Sequence, residues 1–136
     1  MRHGFRTHTR HGGVSVEQRG TFAIAHVDEL ERNGDWRLVR RTLGCRALGG
    51  NLVEIAPGGS IPEHDELDRD QEELFFVVSG EAALVIDGHE HPAPAGTFAR
   101  LDPQHRRSVR STGTEPAWVL IVSAPTTSGY EPMGWA

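Results

Sequence analysis

The stretch GGSIPEHDELDRDQEELFFVVSG, residues 58–80, decides the fold and contains most of the candidate site. Its first half gathers one histidine and seven acidic residues around a proline turn, and its second half is a run of large apolar residues closed by Ser-Gly. The apolar run is typical of a buried β-strand. Carboxylates beside such a strand need a metal cation, an arginine or a shared proton wherever they are buried.

Similar apolar segments recur along the chain, separated by short turns rich in glycine and proline. They are TFAIAHV (21–27), GNLVEIA (50–56), EAALVIDG (81–88), GTFARL (96–101) and AWVLIVSA (117–124). A length of 136 residues fits one domain. The sequence therefore predicts an all-β barrel or sandwich over residues 21–125, with a flexible N-terminal segment (1–20) and an irregular C-terminal tail (126–136).

Residues 27–44, VDELERNGDWRLVRRTLG, are ambiguous. The acidic first half fits a helical turn, whereas WRLVRR alternates well enough for a strand. Both interpretations stay open at this stage.

Composition excludes several kinds of chemistry. All fourteen basic residues are arginine, so Schiff-base chemistry, a pyridoxal phosphate anchor and a P-loop lysine are excluded, and no nucleotide cofactor is expected. A single cysteine, Cys45, excludes a disulfide within the chain and a Cys-rich zinc site. The net charge of -5 does not favour a nucleic-acid partner. No run approaches the ~18 apolar residues of a membrane span, so we expect a cytoplasmic protein without a membrane partner.

Two spaced patterns carry a family resemblance. In the first, Gly58 is followed after five residues by His64, and Glu73 is followed after six residues by Gly80. This arrangement is similar to both ends of the first conserved motif of the cupin superfamily.

The second pattern lies downstream, as PAPAG (92–96) followed by LDPQHRRSVRSTG (101–113). It resembles the second cupin motif in its order, its separation and its strand context. The chain thus resembles a small single-domain cupin of the type-2 kind, which implies a jelly-roll β-barrel.

The resemblance implies a metal site with an altered ligand set. In that family two histidines and a glutamate of the first motif and one histidine of the second hold the ion. Here Glu66 stands at the second histidine position, Arg107 aligns with the final histidine, and only His64 and Glu73 match. A shifted register would use Glu66 and Asp68 instead, but it loses His64 and the leading glycine.

Strand alternation predicts which side chains share a pocket. Residues i and i+2 point the same way, so His64 would face with Glu66, and His105 with Arg107. The predicted pocket contains the following polar and aromatic residues: His64, Glu66, Glu73, Phe75, His105 and Arg107.

Three solutions balance the buried carboxylates. A divalent metal would be held by His64, Glu66 or Asp68, Glu73 and His105, an oxygen-rich set that favours Mn(II), Fe(II) or Mg(II). The metals that the resemblance implies are Mn, Fe, Ni and Zn. A protein that binds no metal is kept as an alternative. Alternatively, Arg107 pairs with Glu73 or binds a ligand's carboxylate or phosphate. In the third solution one carboxyl stays protonated, with a raised pKa, and works as an acid or base with His64.

The resemblance implies a barrel that binds a small polar or anionic metabolite. We expect an enzyme with His64, Glu73 and Arg107 as catalytic residues, and Glu66, Phe75, His105 and Arg107 as ligand-binding residues. The reaction type (oxygenase, isomerase, lyase or cyclase) is left open. The alternative is a non-catalytic barrel that binds or senses a small molecule. Small cupins are commonly dimers, so a homodimer is expected.

Overall fold

The computed structural model describes residues 6–11, 14–18 and 20–136, and most of its regular structure is β-strand. The strands are β1 (Arg6–His11), β2 (Val14–Gln18), β3 (Ala23–Ile24), β4 (Arg32–Asn33), β5 (Trp36–Arg37), β6 (Gly49–Ile55), β7 (Gln71–Ser79), β8 (Glu81–Ile86), β9 (His89–Pro94), β10 (Phe98–Leu101), β11 (Arg107–Ser111) and β12 (Ala117–Pro125). A 3-10 helix covers Val27–Glu29, and one short helix, α1, covers Val39–Leu43. The all-β prediction is confirmed.

Two antiparallel sheets enclose the core. The larger has the strand order β10-β7-β12-β6-β5-β4, and the smaller has the order β11-β8-β9. Isolated bridges from Ser60 to Arg110 and from His64 to Arg107 bring the segment 60–64 alongside β11. Buried side chains from both sheets form one apolar cluster that includes Val53, Phe75, Leu84 and Val109. The strands alternate between this core and the outer surface, as half-buried strands do.

The ambiguous segment 27–44 combines both predicted structures. Its acidic start forms the 3-10 helix, and Trp36–Arg37 forms a two-residue strand against β6. The strand prediction for the rest of WRLVRR is wrong, because Val39–Leu43 is helical and ends at Gly44 in the left-handed region, with φ 76°. Helix α1 places Arg40 at the rim of the barrel, where it lines a cavity.

The Asp87-Gly88 turn joins β8 to β9 with both residues at positive φ, as a tight hairpin requires. His89 and His91 follow it and are exposed. Their His-x-His spacing is that of a metal-binding pair, but both side chains face water next to the hairpin turn.

The predicted boundaries of the barrel domain, 21–125, remain predictions. Strands β1, β2 and β3 form a separate three-stranded sheet. Residues 1–5, 12, 13 and 19 lie outside the described residues, so the flexible segment predicted for residues 1–20 is not tested. The tail 126–136 contains no helix or strand, and its Tyr130 and Trp135 are exposed. No helix in the described ranges is long and apolar enough to cross a membrane.

Candidate functional site

The interior of the barrel changes from apolar to polar towards one end of the larger sheet. On β7 the inward positions run from Val77 and Phe75 to Glu73 and Gln71. Strand register places Ser123 of β12 beside Glu73 of β7 and beside Gly49 of β6. The polar positions of three adjacent strands therefore lie together at this end.

A cavity of about 290 Å³ opens at the polar end. Its lining combines polar and charged side chains with a few apolar groups: Trp36, Arg40, Gly49, Gly50, Asn51, His64, Glu66, Arg69, Gln71, Glu73, Ile121 and Ser123. Three of the predicted site residues, His64, Glu66 and Glu73, lie in this one cavity.

These three side chains converge on a common point. His64 Nε2 lies 3.5 Å from Glu66 Oε1 and 3.6 Å from Glu73 Oε1. One ligand atom from each residue lies within 4.8 Å of the others, a spacing that fits coordination of one metal ion. Three of the expected metal ligands are therefore present as a cluster, whereas the fourth, His105, is not part of it.

Main-chain hydrogen bonds hold two of these residues in place. The backbone N–H of His64 donates to the carbonyl of Arg107 at 3.0 Å, and the N–H of Arg107 donates to the carbonyl of His64 at 2.8 Å. The N–H of Glu66 donates to the carbonyl of Pro103 at 3.0 Å. The segment that precedes β7 is thus anchored to β11 and to the turn before it.

The ring of His64 is oriented by its other nitrogen. Nδ1 lies 3.1 Å from the carbonyl oxygen of Pro62, and a carbonyl only accepts, so Nδ1 donates the proton. In the neutral ring Nε2 then carries a lone pair aimed at Glu66 and Glu73. Metal-binding histidines are held in the same way, with the second nitrogen donating to a carbonyl or carboxylate.

Glu73 is the most buried member of the cluster, with 7 % of its side chain exposed. Its Oε1 is buried and has no hydrogen-bond partner among the described residues. Burial raises the pKa of this carboxyl, and the neighbouring Glu66 raises it further, while the positive charge of Arg107 and the nearby His64 act against the rise.

Arg107 lies behind Glu73, on the side away from the cavity. Its side chain is fully buried, its Nη2 donates to the carbonyl of Asp102 at 2.8 Å, and its Nε lies 3.7 Å from Glu73 Oε1. Arg107 does not line the cavity, which corrects the expectation that it contacts a ligand directly. The inward face of β11 places the guanidinium within the core layer, where it balances the charge of Glu73.

Three other predicted residues also lie elsewhere. His105 sits in a bend before β11, where strand alternation does not apply, and its Nδ1 is 2.6 Å from Asp87 Oδ2 near the β8–β9 turn. Phe75 points inward but one step deeper than Glu73, and it is 1 % exposed within the apolar cluster. Asp68 is exposed in the turn that precedes β7 and does not line the cavity.

Sequence reasoning missed several residues of the cavity. Asn51 and Ser123 follow from the inward alternation of β6 and β12, so the signal was present in the apolar pattern of those strands. Arg40 carried no such signal, because its position depends on helix α1. Arg69 lies in a turn within the acidic stretch, so strand alternation gives no signal for it.

A family model for the cupin domain matches residues 51–123, which is more than half of the chain. The chain belongs to the cupin family. No curated protein matches this cupin.

Solved structures confirm the jelly-roll fold. A cupin protein from Bacteroides fragilis has a TM-score of 0.67 at 18% identity and covers 82% of this chain and 94% of its own. An uncharacterized conserved protein with a double-stranded beta-helix domain, from Klebsiella pneumoniae, has a TM-score of 0.63 at 27% identity, covering 78% of this chain and 92% of that one.

One further structure is described as a sugar phosphate isomerase from a cupin superfamily, from Silicibacter pomeroyi. It has a TM-score of 0.58 at 25% identity and covers 67% of this chain and 59% of its own. This cupin therefore spans little more than half of that protein.

Proposed function

We propose that this cupin is a metal-dependent enzyme that binds one divalent ion through His64, Glu66 and Glu73 and acts on a small polar metabolite in the adjoining cavity. The observation that carries the proposal is the orientation of His64. Its Nδ1 is committed to the Pro62 carbonyl, and its Nε2 faces two carboxylate oxygens.

That arrangement requires a proton or a metal ion between the three groups. A lone pair and two carboxylates that face each other at 3.5 and 3.6 Å repel unless a proton or a metal ion lies between them. The buried Oε1 of Glu73, which lacks a hydrogen-bond partner, adds a donor atom that a metal would satisfy. The residues present therefore fit a divalent ion.

The ligand chemistry narrows the metal. One imidazole and two carboxylates are hard or borderline ligands, and they favour Mn(II), Fe(II) or Mg(II) over a metal that prefers sulfur. An ion bound there supplies Lewis acidity, which polarises an oxygen atom of the ligand.

The residues that line the cavity limit the size and polarity of the molecule that can bind. A volume of about 290 Å³ suits a compact metabolite. Asn51, Gln71 and Ser123 line the same cavity and offer donors and acceptors to hydroxyl, carbonyl or carboxylate groups. Trp36 and Ile121 provide the apolar part of the wall.

Arg107 favours a second candidate function. It already supplies one positive charge next to Glu73, so a barrel without metal that binds a small molecule without converting it is the alternative.

Elemental analysis tests the metal site. Protein purified without an affinity tag should contain close to one Mn or Fe per chain, and Glu73→Gln should remove the metal. Glu72→Gln is the matched control, because Glu72 is the neighbouring carboxylate on the exposed face of β7. Absence of metal in the wild-type protein, even after anaerobic incubation with Mn(II) and Fe(II), would overturn the proposal.

The enzymatic part is tested separately. Metal-loaded wild-type protein and the Glu73→Gln variant are incubated with a library of small polar metabolites, and consumption is followed by mass spectrometry. Consumption that requires Glu73 supports an enzyme. Ligand binding without any consumption supports the non-catalytic alternative.

A further inference from the structure

Most arginines with described side chains lie within ion-pair distance of a carboxylate. The pairs are Arg37–Glu54, Arg41–Glu31, Arg100–Asp102, Arg106–Glu63, Arg107–Glu73 and Arg110–Glu90. Among the described residues, four arginines lack such a partner: Arg32, Arg40, Arg46 and Arg69. These four arginines keep an unbalanced positive charge in a chain whose net charge is -5.

Three of these four arginines surround the entrance to the site. Arg40 and Arg69 line the cavity that contains His64, Glu66 and Glu73. They also line an adjoining cavity of about 360 Å³, to which Arg46 contributes. The two cavities share Gln71 and Ser123 among their walls, so they adjoin, and together they are called the recess.

The three arginines come from separate places in the chain. Arg40 lies on α1, Arg46 follows that helix, and Arg69 lies in the turn before β7. Among the described residues, the only hydrogen bond of the Arg40 guanidinium runs from Nη1 to the carbonyl of Cys45 at 3.3 Å. Asp70, the neighbour of Arg69, accepts instead from the hydroxyl of Thr126 at 2.6 Å. The guanidinium groups therefore keep most of their donors available.

The recess is consequently polarised. Its inner end carries the carboxylates of Glu66 and Glu73, and its outer end carries three guanidinium groups. An oxyanion is repelled by the carboxylates and attracted by the arginines, which match carboxylate and phosphate geometry through paired N–H donors. A ligand with an anionic end would thus enter in one orientation.

We infer that Arg40, Arg46 and Arg69 form an oxyanion subsite, which binds the phosphate or carboxylate group of a small molecule whose other end reaches His64, Glu66 and Glu73. The last clause rests on the proposed function, whereas the anion subsite stands on the arginines themselves. A concave recess lined by few residues suits a small molecule rather than a macromolecular surface.

Direct binding measurements test the subsite. Inorganic phosphate and succinate are titrated separately into the protein by calorimetry at constant ionic strength, after metal removal with EDTA and dialysis. We expect wild-type protein to bind at least one of them. Arg69→Gln should weaken that binding about threefold to tenfold, and the triple Arg40→Gln, Arg46→Gln, Arg69→Gln variant should abolish it.

Arg32→Gln is the matched control, since Arg32 is exposed, lacks a carboxylate partner and lies on β4 outside both cavities. It should bind the anion as the wild type does. Equal weakening in this control, unchanged binding in the triple variant, or no binding of either anion by the wild-type protein would each overturn the inference. Phosphate binding without succinate binding assigns the subsite to phosphate, and the reverse assigns it to carboxylate.

Two readouts separate this inference from the proposed function. The triple variant should keep its metal content and its thermal unfolding midpoint, which shows that the loss of anion binding is local. Anion binding that persists in Glu73→Gln supports the arginine subsite even if the metal proposal fails. Anion binding that appears only when metal is present would assign the anion to the ion and overturn the subsite.

Discussion

Replacing Arg107 with methionine tests the charge balance of the buried layer. The guanidinium is fully buried, and its nearest carboxylate, Glu73, is 7 % exposed. Methionine is unbranched and uncharged but shorter than arginine, so Arg107→Met removes the guanidinium and its positive charge and keeps an apolar stem. Glu73 then stays buried with a neighbouring carboxylate, Glu66, and without its guanidinium partner.

The magnitude follows from the separation of the pair. Two unit charges 3.7 Å apart attract by about 4 kcal/mol at an effective dielectric constant of about 20. Removing one partner of a buried pair costs about 3 to 5 kcal/mol in other proteins. The lost hydrogen bond from Nη2 to the Asp102 carbonyl adds about 1 kcal/mol. We expect Arg107→Met to lower the free energy of unfolding by about 5 kcal/mol.

Urea denaturation at neutral pH, with EDTA present, measures this change. The double variant Glu73→Gln, Arg107→Met removes both charges, so it should be more stable than the sum of the two single changes implies, by about 2 kcal/mol or more. In a parallel series without EDTA, Mn(II) should restore part of the stability of Arg107→Met, since it supplies another cation beside Glu73. A single variant as stable as the wild type, or strictly additive effects in the cycle, would refute the reasoning.

Three further predictions concern parts outside the site. Gly80→Ala should lower the free energy of unfolding by about 2 kcal/mol or more, as measured by urea denaturation. The reason is that Gly80 has φ 83° and the new Cβ would lie 2.5 Å from the carbonyl oxygen of Pro116. The hydrogen bond from His105 holds the pKa of Asp87 below its usual range, so this carboxylate stabilises the fold at neutral pH and loses that effect in acid; the stability deficit of Asp87→Asn should vanish as the pH falls below the ordinary aspartate range, and a constant deficit would contradict this. Phe98 is 66 % exposed on the outer face of the larger sheet, so the homodimer prediction expects Phe98→Asp to give monomers by light scattering, and wild-type monomers would refute it.

The β-structure was predictable because its signals are local. Apolar strands alternate with turns of glycine and proline, and the Asp87-Gly88 turn required nothing beyond its two residues. Helix α1 was not predictable in this way. The preceding and overlapping stretch WRLVRR alternates like a strand, and α1 packs against β6, a contact between distant parts of the chain that local sequence does not reveal.

The site was predicted where spacing alone determines it. Glu73 lies on an inward position of β7, and His64 and Glu66 are two residues apart in the segment before it. These spacings are enough to bring the three side chains together. Alternation failed for His105, since the residue stands in a bend and not in β11. Arg107 was placed on the correct face, but sequence cannot tell how deep along that face a side chain lies.

The inward-facing side chains of β6, β7 and β12 are apolar at one end of each strand and polar at the other, and the two ends have different roles. Val53, Phe75 and Val119 fill the apolar end and supply the folding free energy, while Asn51 and Ser123 line the recess and contribute little to it. Substitutions at the polar end can therefore change which molecule is accepted without loosening the barrel. Descendants of such a chain can acquire new ligands by exchanging a few side chains while the scaffold stays unchanged.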